Sequence, residues 1–280
     1  MNSKLAVVGS PIEHSKSPLI HAAAYAVLGK SFEYSKIRIE KNHLRQFVET
    51  LDGDWVGLSV TAPLKVEALR LAITADETAA LTNAANTLLR NSDGWLAFNT
   101  DVFGIQKAIS VANVSTPNLI SILGSGATAI SAVLAAHRSF PKAKILLAAR
   151  NADAIKEVRD FGKSIGVKNI AIGSQSRALS SSDLVLSTLP AGVLDDSIQK
   201  LSNSWFKKPH GVLFDVAYQP WPSQAAQLWS RNNLQVVSGI EMLLWQALAQ
   251  VRIFTEGDPN VEVFNEPAVM LAMRNALGLI

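Results

Sequence analysis

The sequence predicts a two-domain α/β fold, and three observations carry that expectation. Short apolar runs alternate with helix-patterned stretches along most of the chain, the rhythm of strands joined by crossover helices. Residues 55–65 (Trp-Val-Gly-Leu-Ser-Val-Thr-Ala-Pro-Leu-Lys) alternate Val56, Leu58 and Val60 with Gly57 and Ser59, a period-2 strand pattern that Pro63 ends because it lacks an N–H. Further on, Gly124-Ser125-Gly126-Ala127-Thr128-Ala129 lies between a strand pattern and a helix pattern, where Gly-x-Gly-x-x-Ala marks a Rossmann dinucleotide-binding domain.

Composition sets the outer limits. With 280 residues, 48% hydrophobic and 18% charged, the chain can bury large cores and does not read as disordered. A net charge of +3 with dispersed Lys and Arg gives no nucleic-acid footprint. Zero cysteines exclude disulfides, thiolate nucleophiles and cysteine-ligated metals. His14, His21, His43, His137 and His210 are too scattered to read as a metal site. Residues 108–137 lack Asp, Glu, Lys and Arg, yet Pro117, Asn118, Gly124 and Gly126 cut them into runs far below the roughly 20 residues of a membrane span. The first residues, Met1-Asn2-Ser3-Lys4, lack the apolar core of a signal peptide, so a soluble cytoplasmic protein is expected.

In chain order, residues 4–9 read as a buried first strand. Ser17-Pro18 suits the start of a helix over 19–28, with Ser17 as N-cap and Pro18 at the first helical position. That turn does not require Ser15 or Lys16. Two hydroxyls, Ser15 and Ser17, beside a helix N-terminus suit a carboxylate or another small anion. Residues 32–39 alternate as a second strand, 41–51 read as an amphipathic helix, and the 55–65 stretch supplies the third strand. A helix is expected over 66–81. Residues 86–90 and 95–98 read as strands joined through Asn91-Ser92-Asp93-Gly94, whose Asp-Gly marks a hairpin. Asn99-Thr100-Asp101 then leads into a helix over 102–111, which Asp101 could cap.

The second unit begins at Asn118. A strand over 119–123 enters the glycine turn, followed by a helix over 130–138. Gly124 permits the tight turn, Gly126 admits a pyrophosphate, and Ala129 lets helix and strand pack closely. The next strand, 144–149, ends at Arg150. An NAD site usually places Asp or Glu here, whereas Arg accommodates a 2′-phosphate, so NADP is expected. Residues 183–189 and 212–216 read as further strands. In the C-terminal helix, Ile240, Leu243, Leu244, Ala247, Leu248 and Val251 form a core face, while Met242, Gln246 and Gln250 form a separate i, i+4, i+8 stripe. Gly239 lies just ahead of it, where backbone can approach a ligand closely.

A dinucleotide site together with a separate α/β unit carrying Lys65 and Asp101 suits reversible reduction of a ketone. Reduction leaves an oxyanion to be protonated, and the reverse needs a base for the hydroxyl. A Lys of pKa about 10.4 in water can serve once charge and burial tune it. A carboxylate beside it holds the ammonium and orients the alcohol. No Gly-x-x-x-x-Gly-Lys loop is present, which argues against nucleotide hydrolysis.

Here the chain resembles the shikimate dehydrogenase family over nearly its full length. The matching pieces are Pro11-Ile12-Glu13-His14-Ser15-Lys16-Ser17-Pro18, Val60-Thr61-Ala62-Pro63-Leu64-Lys65, Asn86-Thr87 and Asn99-Thr100-Asp101. Gly124-Ser125-Gly126 follows, then Asp215 with Tyr218 and Pro220, then Gly239 with Met242-Leu243 and Gln246, all in the family's order. The resemblance implies NADPH-dependent reduction of 3-dehydroshikimate to shikimate in aromatic amino-acid biosynthesis, with Lys65 as acid/base paired with Asp101. Ser15 and Ser17 would hold the substrate carboxylate, and Thr61, Asn86, Tyr218 and Gln246 would hydrogen-bond its carboxylate or hydroxyls. Gly124, Ser125, Gly126, Ala127 and Thr128 would cradle the pyrophosphate and Arg150 the 2′-phosphate. Val216 and Gly239 would lie near the nicotinamide, and Glu77 is a further cofactor-side candidate.

The expected division is a substrate-binding and catalytic domain of 1–101 with 237–280 and an NADP-binding Rossmann domain of 102–236. The active site is expected in the cleft, in a monomer or homodimer with no nucleic-acid or membrane partner. Where the family usually has Asn, Gly, a small or acidic residue, and Gly, this chain has Ser59, Asn83, Phe98 and Val102. Ala149-Arg150-Asn151 replaces a usual Asn-Arg-Thr and Ser187-Thr188-Leu189 a usual Asn-Ala-Thr; the variants at 59 and 149–151 resemble those of actinobacterial members. Two alternatives stay open: an NAD-dependent quinate/shikimate dehydrogenase, and a catalytically inactive relative that binds pathway metabolites.

Overall fold

In the computed structural model, which describes residues 3–202 and 208–279, the chain divides into two units, Met1–Asp101 with Leu244–Ile280 and Val102–Leu243. The first unit runs β1 (Ser3–Gly9), α1 (Ser17–Val27), β2 (Phe32–Arg38), α2 (Leu44–Glu49), β3 (Trp55–Val60), α3 (Lys65–Leu71), β4 (Thr74–Ala75), α4 (Glu77–Thr82), β5 (Thr87–Arg90) and β6 (Trp95–Phe98). Its sheet has the order β2-β1-β3-β5-β6-β4, with β5 antiparallel to both β3 and β6 and the other pairs parallel. Alternate residues Ala6, Val8, Leu58, Val60, Leu88 and Ala97 pack with Leu44, Leu64, Ala68 and Ala79 into one core, as a period of two requires.

Three local expectations change. The helix expected over 66–81 is two helices, because Thr74-Ala75 pairs with Leu96-Ala97 and Asp76 restarts the helix by accepting from the Ala79 N–H at 2.7 Å. Ser17 is the first helical residue and does not cap; instead Ser15 Oγ accepts the Ser17 N–H at 3.3 Å. Asp101 likewise opens its helix, α5 (Asp101–Val111), and Asn99 Oδ1 accepts the Asp101 N–H at 3.1 Å. That substitution of cap leaves both Asp101 oxygens for other partners.

The second unit continues with β7 (Leu119–Leu123), α6 (Ala127–Ser139), β8 (Lys144–Ala148), α7 (Ala152–Ser164), β9 (Ile170–Ile172) and α8 (Gln175–Ser181). It closes with β10 (Leu184–Ser187), α9 (Val193–Ser202), β11 (Val212–Asp215), α10 (Gln224–Arg231) and β12 (Val236–Ser238). All its strands are parallel in the order β12-β11-β10-β7-β8-β9, a doubly wound sheet whose order reverses between β7 and β10. Continuous apolar strands serve two cores at once. Ile120, Ile122, Ile145, Leu147, Leu184, Leu186 and Phe214 enter one, while Leu123, Leu146, Ala148, Val185 and Leu213 enter the other.

The chain ends in α11 (Gly239–Glu256) and α12 (Glu266–Ala276). The division between units falls inside α11 at Leu244, and a cut at 237 would split β12, which pairs with β11 from Leu213↔Val236 to Asp215↔Ser238. Among the described residues, no helix is long and apolar enough to cross a membrane.

Candidate active site

Three strand ends converge in the first unit. Thr61 N–H donates to Val8 O at 2.9 Å and Leu64 N–H to Thr61 O at 3.0 Å, so the chain turns sharply after β3 and Lys65 opens α3. The Lys65 carbonyl accepts from Ala85 at 2.9 Å, and Asn86 bridges its neighbours by accepting from Val60 at 2.7 Å and donating to Phe98 O at 3.0 Å. Backbone pairing therefore brings residues 61–65, 86 and 99–101 to one place.

There Lys65 Nζ donates to Asp101 Oδ2, the two side chains being only 12% and 5% exposed. Asn86 Nδ2 donates to the other carboxylate oxygen at 2.8 Å and to Thr100 Oγ1 at 2.9 Å, while its Oδ1 accepts from the Thr100 N–H at 2.9 Å. Such an ion pair endures removal from water because its remaining lone pair is also hydrogen-bonded. Gln246 Oε1 lies 3.4 Å from Asn86 Nδ2. An ammonium held against a carboxylate, with amide groups alongside, is a device for passing a proton to or from a bound hydroxyl or carbonyl.

Ser15 is half-buried and Ser17 buried at the start of α1. Thr61 presses on Gly9, where an added Cβ would meet Thr61 Cγ2 at 2.4 Å. Desolvation pushes the Tyr34 phenol up, so it stays protonated and donates to Ser59 Oγ at 2.7 Å. Ser59 in turn donates to Gln250 Oε1 at 2.8 Å.

Sequence reasoning missed Gln250, which is 2% exposed, as well as Thr87 and His21, both fully buried. Gln250 Nε2 donates to Asn86 O and Thr87 Oγ1, each at 3.0 Å, and Thr87 Oγ1 donates to Asn86 Oδ1 at 2.8 Å. His21 Nε2 lies 3.3 Å from Gln250 Oε1 and Nδ1 lies 3.1 Å from Tyr25 Oη. Because the Gln250 amide faces two acceptors with its nitrogen, His21 carries its hydrogen on Nε2 and accepts from Tyr25. Burial pushes the His21 pKa down to about 3, keeping the ring neutral. The available signal was the stripe of Met242, Gln246 and Gln250, in which Met242 and Gln250 are buried.

In the second unit, Gly124 has φ +121° and an added Cβ would meet Thr188 Oγ1 at 2.4 Å, so a side chain is excluded both by backbone conformation and by contact. Thr188 Oγ1 itself donates to Leu123 O at 2.8 Å across the β7–β10 switch point. Gly126 caps α6, which starts at Ala127 rather than 130, and a Cβ built there meets nothing within 4 Å. With Ser125, Ala127 and Thr128 half-buried around it, this turn leaves room for a diphosphate at a helix N-terminus, where N–H groups point outward. Arg150 is exposed just past β8, and Asn151 beside it caps α7 by accepting from Asp153 and Ala154. The residues present fit a dinucleotide.

Val216 and Gly239 are brought together: a Cβ at Gly239 would meet Val216 O at 2.1 Å, so only glycine permits this backbone approach. Val216 and the half-buried Tyr218 follow β11, whose last residue, Asp215, has its pKa pushed up to about 6, chiefly by burial. Tyr218 belongs to the second unit; Ser15, Ser17, Thr61, Lys65, Asn86, Asp101 and Gln246 belong to the first. Glu77, also in the first, is exposed at the start of α4.

Residues 7–88 match the family model described as the shikimate dehydrogenase substrate binding domain. The shikimate dehydrogenase (NADP(+)) of Leptospira interrogans is 32% identical over 263 residues, covering 91% of this chain and 90% of that protein. The crystal structure of Mycobacterium tuberculosis shikimate dehydrogenase is 33% identical with a TM-score of 0.82, covering 98% of this chain and 99% of that one. The shikimate 5-dehydrogenase of Mycobacterium fortuitum is 33% identical with a TM-score of 0.77 over 97% and 98% of the respective chains. Identity of this extent, carried through both units, shows that the chain belongs to the shikimate dehydrogenase family.

Proposed function

We propose that this protein catalyses the reversible NADPH-dependent reduction of 3-dehydroshikimate to shikimate. The observation that carries this reading is the buried Lys65–Asp101 pair, braced by Asn86, in a chain of this family. NADPH, when bound, supplies the reducing equivalent to the ketone carbon. Lys65 gives a proton to the ketone oxygen in that direction and takes it from the hydroxyl in the other. Asp101 offsets the ammonium charge and sets its direction. Ser15 and Ser17 hold the substrate carboxylate; Thr61, Asn86, Tyr218 and Gln246 bind its carboxylate or hydroxyls.

On the cofactor side, the turn from Gly124 to Thr128 holds the pyrophosphate and Arg150 the 2′-phosphate, with Val216, Gly239 and Glu77 as further contacts. Residues 1–101 with the C-terminal helical segment thus form the substrate-binding domain, and the intervening unit forms the NADP-binding domain. The absence of Asp or Glu at 149–151 supports NADP over NAD.

Absorbance of NADPH formed from shikimate and NADP tests the reading directly. Lys65→Ala is expected to lower kcat by about 10²–10⁴-fold, the usual contribution of a positioned acid/base, with KM for shikimate nearly kept. No turnover by the wild type, or a clear preference for quinate with NAD, overturns the proposal.

A further inference from the structure

We propose that Gln250 is a positioning residue for the Lys65–Asp101 pair, acting through Thr87 and Asn86. This inference rests on the proposed function for its kinetic consequence, while its geometry stands apart from any ligand. Gln250 lies on α11 with both amide atoms buried, flanked by Ala249 and Val251, which are themselves buried. A side chain needed only to fill that space would be apolar, since a buried amide is stabilising only when its partners are all supplied.

Here they are supplied in one direction. Tyr34 donates to Ser59, and Ser59 to Gln250 Oε1. Gln250 Nε2 then donates to Thr87 Oγ1, which spends its own hydrogen on Asn86 Oδ1. With Oδ1 occupied by the Thr87 hydroxyl and the Thr100 N–H, the Asn86 side chain must turn its NH₂ toward Asp101 Oδ1. The second Gln250 hydrogen bond, to Asn86 O, pins the same residue through its backbone. Asn86 therefore cannot flip its amide without breaking bonds on both sides, and Asp101 is held with Oδ2 toward Lys65.

The same polarity uses both functions of the Ser59 hydroxyl. A hydroxyl both accepts from Tyr34 and donates to Gln250, which a side chain lacking either function cannot do. His21 completes the acceptor's surroundings from the opposite side, at 3.3 Å.

The test compares Gln250→Leu, Thr87→Val and Thr87→Ser with the wild type. Gln250→Leu also removes an acceptor from Ser59 and His21, so its melting temperature falls; Thr87→Val removes one hydroxyl and keeps the shape, separating positioning from folding. The expected result is a kcat about tenfold lower for both Gln250→Leu and Thr87→Val, with KM within about twofold, equivalent to about one lost hydrogen bond. Thr87→Ser, which keeps the hydroxyl, restores most of kcat. The double variant falls no further than the worse single one, because both break the same relay.

A second readout needs no turnover. In the substrate-free protein, exchange of the Asn86 side-chain NH₂ with solvent, followed by NMR, quickens in Gln250→Leu and Thr87→Val but not in Thr87→Ser. Unchanged exchange in all three, or a kcat within about twofold of wild type for Thr87→Val, overturns the proposal. If the wild type does not oxidise shikimate, the functional reading fails, and the exchange measurement still decides the role of Gln250.

Discussion

His21 stacks on Tyr34 with ring centroids 4.2 Å apart and holds its Nε2 hydrogen toward Gln250, in a place where burial pushes its pKa down to about 3. An unfolded chain binds that proton near pH 6.5, whereas the folded chain refuses it until about pH 3. The stability contributed by the neutral ring is complete above pH 6.5 and is lost as pH falls toward 3. Urea unfolding of His21→Gln is expected to show a flatter dependence on pH between 6.5 and 4 than wild type. An equally steep acid limb in the variant sinks this assignment. Lys65 differs in kind: its ammonium is paired with Asp101 at the strand ends, and under the proposed function its removal is read in kcat.

At the scale of elements, the two glycines of the β7–α6 turn have different reasons to be glycine. Gly124 combines φ +121° with a 2.4 Å approach to Thr188 Oγ1, so Gly124→Ala is expected to lower the melting temperature and abolish cofactor binding together. Gly126 faces open space, so Gly126→Ala should fold with an unchanged melting temperature yet bind NADPH about tenfold more weakly, as titrated by the fluorescence of the reduced cofactor. Tight binding by Gly126→Ala contradicts the cradle. Elements of this kind were legible because strand, glycine turn and helix are contiguous in sequence. The two-residue strand β4 was not, since a period cannot be read from Thr74 and Ala75 alone, and only pairing with β6 defines it. Lys65 and Asp101 stood out as polar residues at strand ends, and Asn86 was named through the family resemblance. Gln250 did not, because a Gln at helical spacing reads the same whether water or Ser59 satisfies it.

For the whole molecule, the two units carry buried titratable groups of opposite sense. Asp215 in the second unit has its pKa pushed up to about 6 by burial and by the neighbouring Asp195, against hydrogen bonds from Ala217 and Ser223. Its folded-state pKa lies above the unfolded value of 3.8, so its favourable contribution is complete below 3.8 and disappears as pH rises through 6. Acid therefore weakens the first unit through His21 and strengthens the second through Asp215. Lowering pH from 6.5 to 4 is expected to separate their unfolding transitions, with the buried Trp229 reporting the second unit. Asp215→Asn should stabilise that unit at pH 7 and remove its pH dependence. Transitions that remain coincident over this range contradict the assignment.

The bond from Gln250 to Asn86 spans 164 residues of chain, and this has a consequence for the order in which the protein is made. On a ribosome adding roughly 5–20 residues per second, Asn86 emerges about 8–33 seconds before Gln250. Until then His21, Ser59 and Thr87 lack the amide that later satisfies them, and once Leu243 is made the second unit is complete while the first still lacks Leu244–Ile280. A released chain ending at Leu243 is thus expected to resist proteolysis over its second unit and to be cut within its first. The hydrogen-bonded surroundings of Asn86 are, by this logic, the last part of the molecule to be completed.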